Sequence, residues 1–230
     1  MSFDTIKTTL KVLVVDDHHL IISGTLNMLM YQYPDMEVFI AKTAEDALYE
    51  IEKLQQENSF FDLIILDLSI PERTGIIANV DTGIKLINHL LKKYPNLNLM
   101  VQSSHAKALV RIKYEIDEHQ GGFVIADKGL SEQDILNRVN LAIQGATHTK
   151  DIKTGLELKP EWLEVLSFAF EEGLQDKVIA EKMHLHERTV RAYWTKIQDA
   201  LNIYPQDCKQ GGKNMRIQTE IRAREEGLID

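Results

Sequence analysis

Cysteine is all but absent: Cys208 stands alone in 230 residues and has no intrachain partner for a disulfide. That excludes a small disulfide-stapled scaffold and suits a reducing, cytoplasmic location. No uninterrupted run of about 18 apolar residues occurs, so no membrane-spanning helix and no membrane partner are expected. The opening residues Met1 to Lys7 lack the apolar centre of a signal peptide. Internal repeats and low-complexity segments are missing too. Positive charge is in deficit, with 26 Lys and Arg against 35 Asp and Glu and a net charge of −9.

What is present is ordinary globular material, 44% hydrophobic and 27% charged, in a chain long enough for two domains. The charge is unevenly spread. From Lys182 to Arg224 nine Lys and Arg face four acids, an excess of about five, which leaves about −14 for the remainder. A basic stretch on an acidic protein suits DNA binding through one defined surface.

Over the first 145 residues short apolar runs alternate with helical patterns. Val12–Val15, Glu37–Ile40, Asp62–Leu66, Leu97–Gln102 and Phe123–Ala126 read as strands. Helices are expected from His19 to Tyr31, from the Thr43 cap onward, and from Ile84 to about Lys93. Two more are expected from Ala106 to Asp117 and from the Ser131 cap to about Gln144. This alternation predicts an α/β fold: a doubly wound, five-stranded parallel, flavodoxin-like sheet covered on both faces. Ligands gather in such folds at strand carboxyl ends beside a topological switch. Asp16, Asp17, Asp67, Ser103 and Lys128 all fall at or just past strand ends.

Paired carboxylates on one strand end, with a third on a neighbour, make an oxygen-donor site for Mg²⁺. A nearby lysine can offset the charge of a phosphoryl group on a carboxylate, and a small hydroxyl can hydrogen-bond it. The runs around Asp16-Asp17-His18, Asp67 to Pro71, Ser103-Ser104 and Asp127-Lys128 resemble, as a set, the receiver domain of two-component response regulators over residues 11–145. The resemblance implies that Asp67 accepts a phosphoryl group from a sensor histidine kinase. It implies that Asp16, Asp17, Asp67 and the Ser69 carbonyl hold Mg²⁺ or Mn²⁺. Ser103 becomes the switch hydroxyl, Lys128 the phosphoryl contact and Phe123 the switch aromatic, with Ile125 as the alternative. Ser69 and His105 fall where the family tunes the lifetime of the phosphoryl group. Two departures stand out: an insertion at Glu72–Asp81, with helical periodicity only after Gly83, and a five-residue rather than three-residue spacing from Phe123 to Lys128.

Residues 146–157 are polar and aperiodic and read as a linker, leaving a small all-α domain over 158–230. Lys159-Pro160-Glu161 opens a helix that Gly173 closes. Ile179, Ala180 and Met183 form a short apolar face, His184-Leu185-His186 a turn, and Val190, Trp194, Ile197 and Leu201 a helical core stripe. Two short helices around a tight turn match a major-groove reader. The opposite face of the second helix carries Arg188, Arg191, Thr195, Lys196 and Gln198, with Thr189 beside them. Ile179-Ala180, Met183, His186, Thr189-Val190 and Leu201 resemble the LuxR/NarL-type helix-turn-helix. That resemblance implies double-stranded DNA as a ligand, a homodimer formed through a last helix near Arg216–Ile229, and RNA polymerase as a further partner. Departures are His186 where a serine cap is usual and a long connection from Asn202 to Asn214.

The combined expectation is a DNA-binding transcription regulator of a two-component system that is not an enzyme. Two other readings remain beside it. A phosphorylation-independent receiver would act as a constitutive DNA-binding or protein-interaction module. An Asp-x-Asp phosphatase is disfavoured, because Leu68-Ser69 after Asp67 supplies no second aspartate as general acid.

Overall fold

Uninterrupted Val, Ile and Leu runs are stable only in strands covered on both faces. In the computed structural model, which describes residues 9–149 and 158–229, they form β1 (Lys11–Val15), β2 (Glu37–Ala41), β3 (Leu63–Leu66), β4 (Leu99–Gln102) and β5 (Phe123–Ala126). Every residue of β3, β4 and β5 is buried, whereas β2 is half-exposed at the sheet edge. Where five strands are expected, six are found. Thr147–His148 forms β6 beside β5, in the order β2-β1-β3-β4-β5-β6 with every pairing parallel. These residues look like linker because the pairing is a demand of the β5 backbone, which no side chain at 147–148 advertises. The rest of the expected linker, 150–157, lies outside the described residues.

The chain leaves β1 toward β2 on one side and resumes at β3 on the other, so the topological switch lies between β1 and β3. Register then places the site. Val15 pairs with Leu66, so Asp16 and Asp67 leave the sheet side by side. Leu66 pairs with Val101, and Gln102 with Ala126, which brings Ser103 and the turn at Lys128 to the same edge.

Around the sheet run α1 (His19–Gln32), α2 (Ala44–Gln56), α3 (Val80–Lys93), α4 (Lys113–Glu118) and α5 (Glu132–Ile143). Thr43 and Ser131 cap α2 and α5 as expected, accepting from the N–H groups of Asp46 and Asp134. The expected helix from Ala106 is divided: Ala106–Ile112 is 3-10, and only then does α4 begin. Ala108, Leu109, Ile112 and Ile116 are all buried, so the apolar spacing reports the inward face and does not separate the two helical forms.

α3 starts at Val80, before Gly83, because Asn79 caps it by accepting from the Thr82 N–H at 2.8 Å. Residues 80 and 81 of the expected insertion are therefore helix. The remainder forms a protrusion whose base closes where Asn79 N donates to Ile70 O at 3.2 Å. At its tip Gly75 takes φ +87°, and Ile77 is 87% exposed.

The chain divides into two compact units. One holds the described residues to 106 and from 114 to 149; the other holds 107–113 and those from 158 onward. The second unit contains α6 (Pro160–Phe170), α7 (Asp176–Lys182), α8 (Glu187–Ala200), α9 (Pro205–Gln210) and α10 (Met215–Glu225). Val190, Trp194, Ile197 and Leu201 are buried with Val165, Leu166, Ile179 and Ala223, which is the expected stripe. The long connection after Asn202 is filled by α9, whose buried Cys208 joins this core.

Gly83 supports the site from below. A Cβ there would lie 2.5 Å from Leu68 Cα and closer still to its carbonyl oxygen. Alanine gains about 1 kcal/mol in helix propensity, but overpacking against backbone costs roughly 1–3 kcal/mol. Gly83→Ala is expected to lower the urea midpoint at unchanged m, with the clash outweighing the propensity gain.

Candidate functional site

Asp16 and Asp67 each continue the sheet by one residue: Asp16 N donates to Ala41 O and Asp67 N to Val15 O. Their side chains are buried, at 3% and 4% residue exposure, at the switch between β1 and β3. Lys128, in the turn after β5, places Nζ 2.8 Å from Asp16 Oδ2 and 2.8 Å from Asp67 Oδ2. Burial alone would lower the Lys128 pKa, but hydrogen bonds to Asp16 and Asp67 and their charges outweigh it and raise the value. The ammonium is therefore held charged between two carboxylates.

Asp67 Oδ1 is buried and unpartnered. So is Asp17 Oδ1, although His18 Nδ1 lies 2.8 Å away without hydrogen-bond alignment. A buried carboxylate oxygen without a donor costs about 1–3 kcal/mol or more. The Asp67 oxygen, beside the Asp16 carboxylate, fits a hard divalent cation, which takes oxygen ligands. Among the described residues, ligand atoms of Asp16, His18 and Asp67 lie within 4.8 Å of one another; the expected ligand Asp17 is not among the residues grouped there. His18 is the member missed above; its place directly after two aspartates was the available signal.

Ser103 is fully buried at the end of β4, and its Oγ accepts from the His105 N–H at 3.2 Å. Its hydroxyl proton is left for another acceptor. His105 is half-buried, and Ser69 is half-buried two residues beyond Asp67. Phe123 is not brought to the site. It is fully buried at the amino end of β5, while Lys128 follows the carboxyl end, so at about 3.3 Å per residue the strand holds them apart. Ile125 is also fully buried.

In the second unit Arg188, Arg191, Thr195 and Lys196 are exposed on α8 and Thr189 is half-buried, opposite the core stripe. Arg191 pairs with Glu187 one turn earlier. A second feature missed from sequence locks α8 in place. Trp194 Nε1 donates to Asp176 Oδ1 at 3.0 Å, and Arg216 donates to both Asp176 oxygens at 3.1 and 3.2 Å. The Arg216 guanidinium lies 3.4 Å from the Trp194 ring centre, so α7, α8 and α10 meet at one point. Burial lowers the Arg216 pKa, and Asp176 counters part of that shift. The signal was the indole N–H, which needs an acceptor when the ring is buried.

The family described as the response regulator receiver domain matches residues 12–140. The DNA-binding transcriptional activator DevR/DosR of Mycobacterium tuberculosis is 25% identical over 204 residues, covering 81% of this chain and 86% of its own. The oxygen regulatory protein NreC of Staphylococcus carnosus is 26% identical over 216 residues, covering 84% and 92%. A solved structure of two RcsB dimers bound to two parallel DNAs superposes with a TM-score of 0.58 at 21% identity, covering 86% of this chain and 94% of that one. That likeness speaks to fold.

Two outcomes follow from these geometries. Lys128→Met leaves two buried carboxylates uncompensated and is expected to cost about 3 kcal/mol in chelator-treated protein at neutral pH. Millimolar Mg²⁺ should recover part of the loss, by mass action at the same carboxylates. Because the folded pKa of Lys128 is raised, its contribution is complete below the ordinary lysine value and fades only as pH climbs through the raised one. The deficit of the variant, read by urea unfolding, should therefore be constant from neutral to mildly alkaline pH. Separately, His186 caps α8 without a side-chain hydrogen bond, so His186→Ser should raise thermal stability by about 1 kcal/mol.

Proposed function

Since the chain belongs to the response regulator receiver family, we propose that it is a DNA-binding transcription regulator of a two-component system, switched by phosphorylation of Asp67. The observation that carries this reading is the Lys128 ammonium 2.8 Å from both Asp16 and Asp67 at the topological switch. Of the two Asp67 oxygens, Oδ2 is held by Lys128 and Oδ1 has no donor; the carboxylate is the nucleophile. It attacks the phosphorus of a kinase phosphohistidine; the P–N bond breaks as the P–O bond forms, and the imidazole leaves with the electron pair and takes a proton. Asp16, Asp17, Asp67 and the Ser69 carbonyl would hold Mg²⁺ or Mn²⁺, which would supply charge neutralisation for the transferring group. Lys128 then contacts the acyl phosphate, and the Ser103 hydroxyl turns its free proton toward a phosphoryl oxygen. Ser69 and His105 flank the group and set how fast water reaches it. Hydrolysis of this acyl phosphate is the only turnover proposed; the relatives are named as regulators.

The effector is the unit from 158. α8 lies in the major groove, with Arg188 and Thr189 at base edges and Arg191, Thr195 and Lys196 toward phosphates. DevR/DosR is named as a DNA-binding activator, and RcsB dimers are solved on DNA. α10 exposes Ile217 and Ile221 one turn apart, a face suited to a homodimer. RNA polymerase is the further partner. A cytoplasmic location is part of this reading; no helix among the described residues is long and apolar enough to cross a membrane.

The placement of Phe123 favours one competing reading, a receiver that works without phosphorylation. Incubation with labelled acetyl phosphate and Mg²⁺ separates the two. The wild type is expected to take up hydroxylamine-sensitive label, Asp67→Asn none, and duplex affinity should rise at least about tenfold on labelling, some 1.4 kcal/mol. Equal DNA binding by labelled and unlabelled protein would leave a constitutive module.

A further inference from the structure

The His18 ring is tied to the acidic pocket, with Nδ1 within hydrogen-bond distance of Asp16 Oδ1. The residue is the N-cap of α1, yet its ring makes no cap hydrogen bond, and its side chain is 61% exposed. Its backbone N–H donates to Asp16 Oδ1 at 2.8 Å, which pins the residue at the mouth of the acidic pocket. The ring atom Nδ1 then lies 3.2 Å from Asp16 Oδ1 and 2.8 Å from Asp17 Oδ1. With metal–ligand bonds of about 2.1 Å, adjacent corners of an octahedron are about 3 Å apart. The ring nitrogen and carboxylate oxygens thus stand at ligand–ligand spacing. Asp67 offers an oxygen within 4.8 Å of both ligand atoms, and its Oδ1 is buried and has no donor.

We propose that His18 Nδ1 is a nitrogen ligand of the cation held by Asp16 and Asp67, and that it biases the site toward transition-metal ions such as Mn²⁺ over Mg²⁺. The inference rests on the cation site of the proposed regulator and adds to it. Imidazole suits first-row transition metals, whereas Mg²⁺ prefers oxygen and keeps its waters. The competing role for the same ring is an imidazolium paired with Asp16 and Asp17. The two roles differ in sign: a ligand strengthens cation binding, whereas an imidazolium opposes it.

Full-length protein stripped with chelator is titrated with Mn²⁺ and with Mg²⁺ as wild type, His18→Asn and Asp67→Asn. Electron spin-echo modulation is recorded on the Mn²⁺-loaded forms. Asparagine retains an oxygen donor and is a good N-cap, so His18→Asn keeps the start of α1 intact. The wild type is expected to show directly bound histidine nitrogen that His18→Asn loses. Mn²⁺ affinity should fall at least about tenfold in that variant, and Mg²⁺ affinity much less. Unchanged or tighter Mn²⁺ binding in His18→Asn, or no nitrogen coupling in the wild type, overturns the proposal. If Asp67→Asn still abolishes binding in that case, the all-oxygen site of the regulator survives. Wild-type protein that binds neither ion sinks both.

Discussion

Two carboxylates buried side by side share one ammonium that lies between them. Asp16 and Asp67 are both almost inaccessible, and Lys128 Nζ is equidistant from one oxygen of each. Breaking such a pair by removing one partner typically costs about 3–5 kcal/mol, since the remaining charge has no compensation. The arrangement is costly and leaves Asp67 Oδ1 without a donor. A fold selected for stability alone would put apolar side chains here. The unmet oxygen is desolvated, held in place by the sheet, and without a donor.

The sheet supplies that placement through register. A slip of one residue between β1 and β3 would send every side chain to the opposite face, and both strands are buried throughout their pairing, so the register is strongly fixed. Gly83 allows α3 to press onto the Leu68 backbone directly after Asp67. Beyond it, the Pro71 and Glu72 carbonyls accept from Ala44 N and Glu45 N, the first donors of α2. The loop leaving Asp67 is thus also the cap of a neighbouring helix.

Much of this was legible in the residues. Buried parallel strands show as apolar runs, and acids at their ends show as a pattern, because burial and strand direction are both written in side-chain type. Asp16, Asp67 and Lys128 meet as the order of strands implies. The illegible parts depend on backbone or on distant partners. β6 pairs two polar residues because β5 has a free edge, and Ala106–Ile112 is 3-10 although its apolar spacing suits an α-helix. Phe123 reads as a switch aromatic by type, but its register with Leu99 and Thr147 puts it at the far end of the strand. The Asp176–Trp194–Arg216 cluster joins residues up to 40 positions apart, and only the buried indole N–H hinted that an acceptor was needed.

Any movement reporting a phosphoryl group must take the softest route out of the pocket. The exit through the β3–α3 loop is stiff, since it is tied to α2 by two backbone hydrogen bonds and to α3 by the close approach at Gly83. The exit through Ser103 is not. Its Oγ is held by a single 3.2 Å bond from the His105 N–H, and the chain then enters a 3-10 segment, whose hydrogen bonds are poorer than those of an α-helix. On the proposed reading, a Ser103 hydroxyl drawn toward Asp67 gives up one weak contact. The seven residues that depart from the expected helix thus follow the less tightly held of the two exits, whereas the inserted loop, for all its exposure, is anchored at its base.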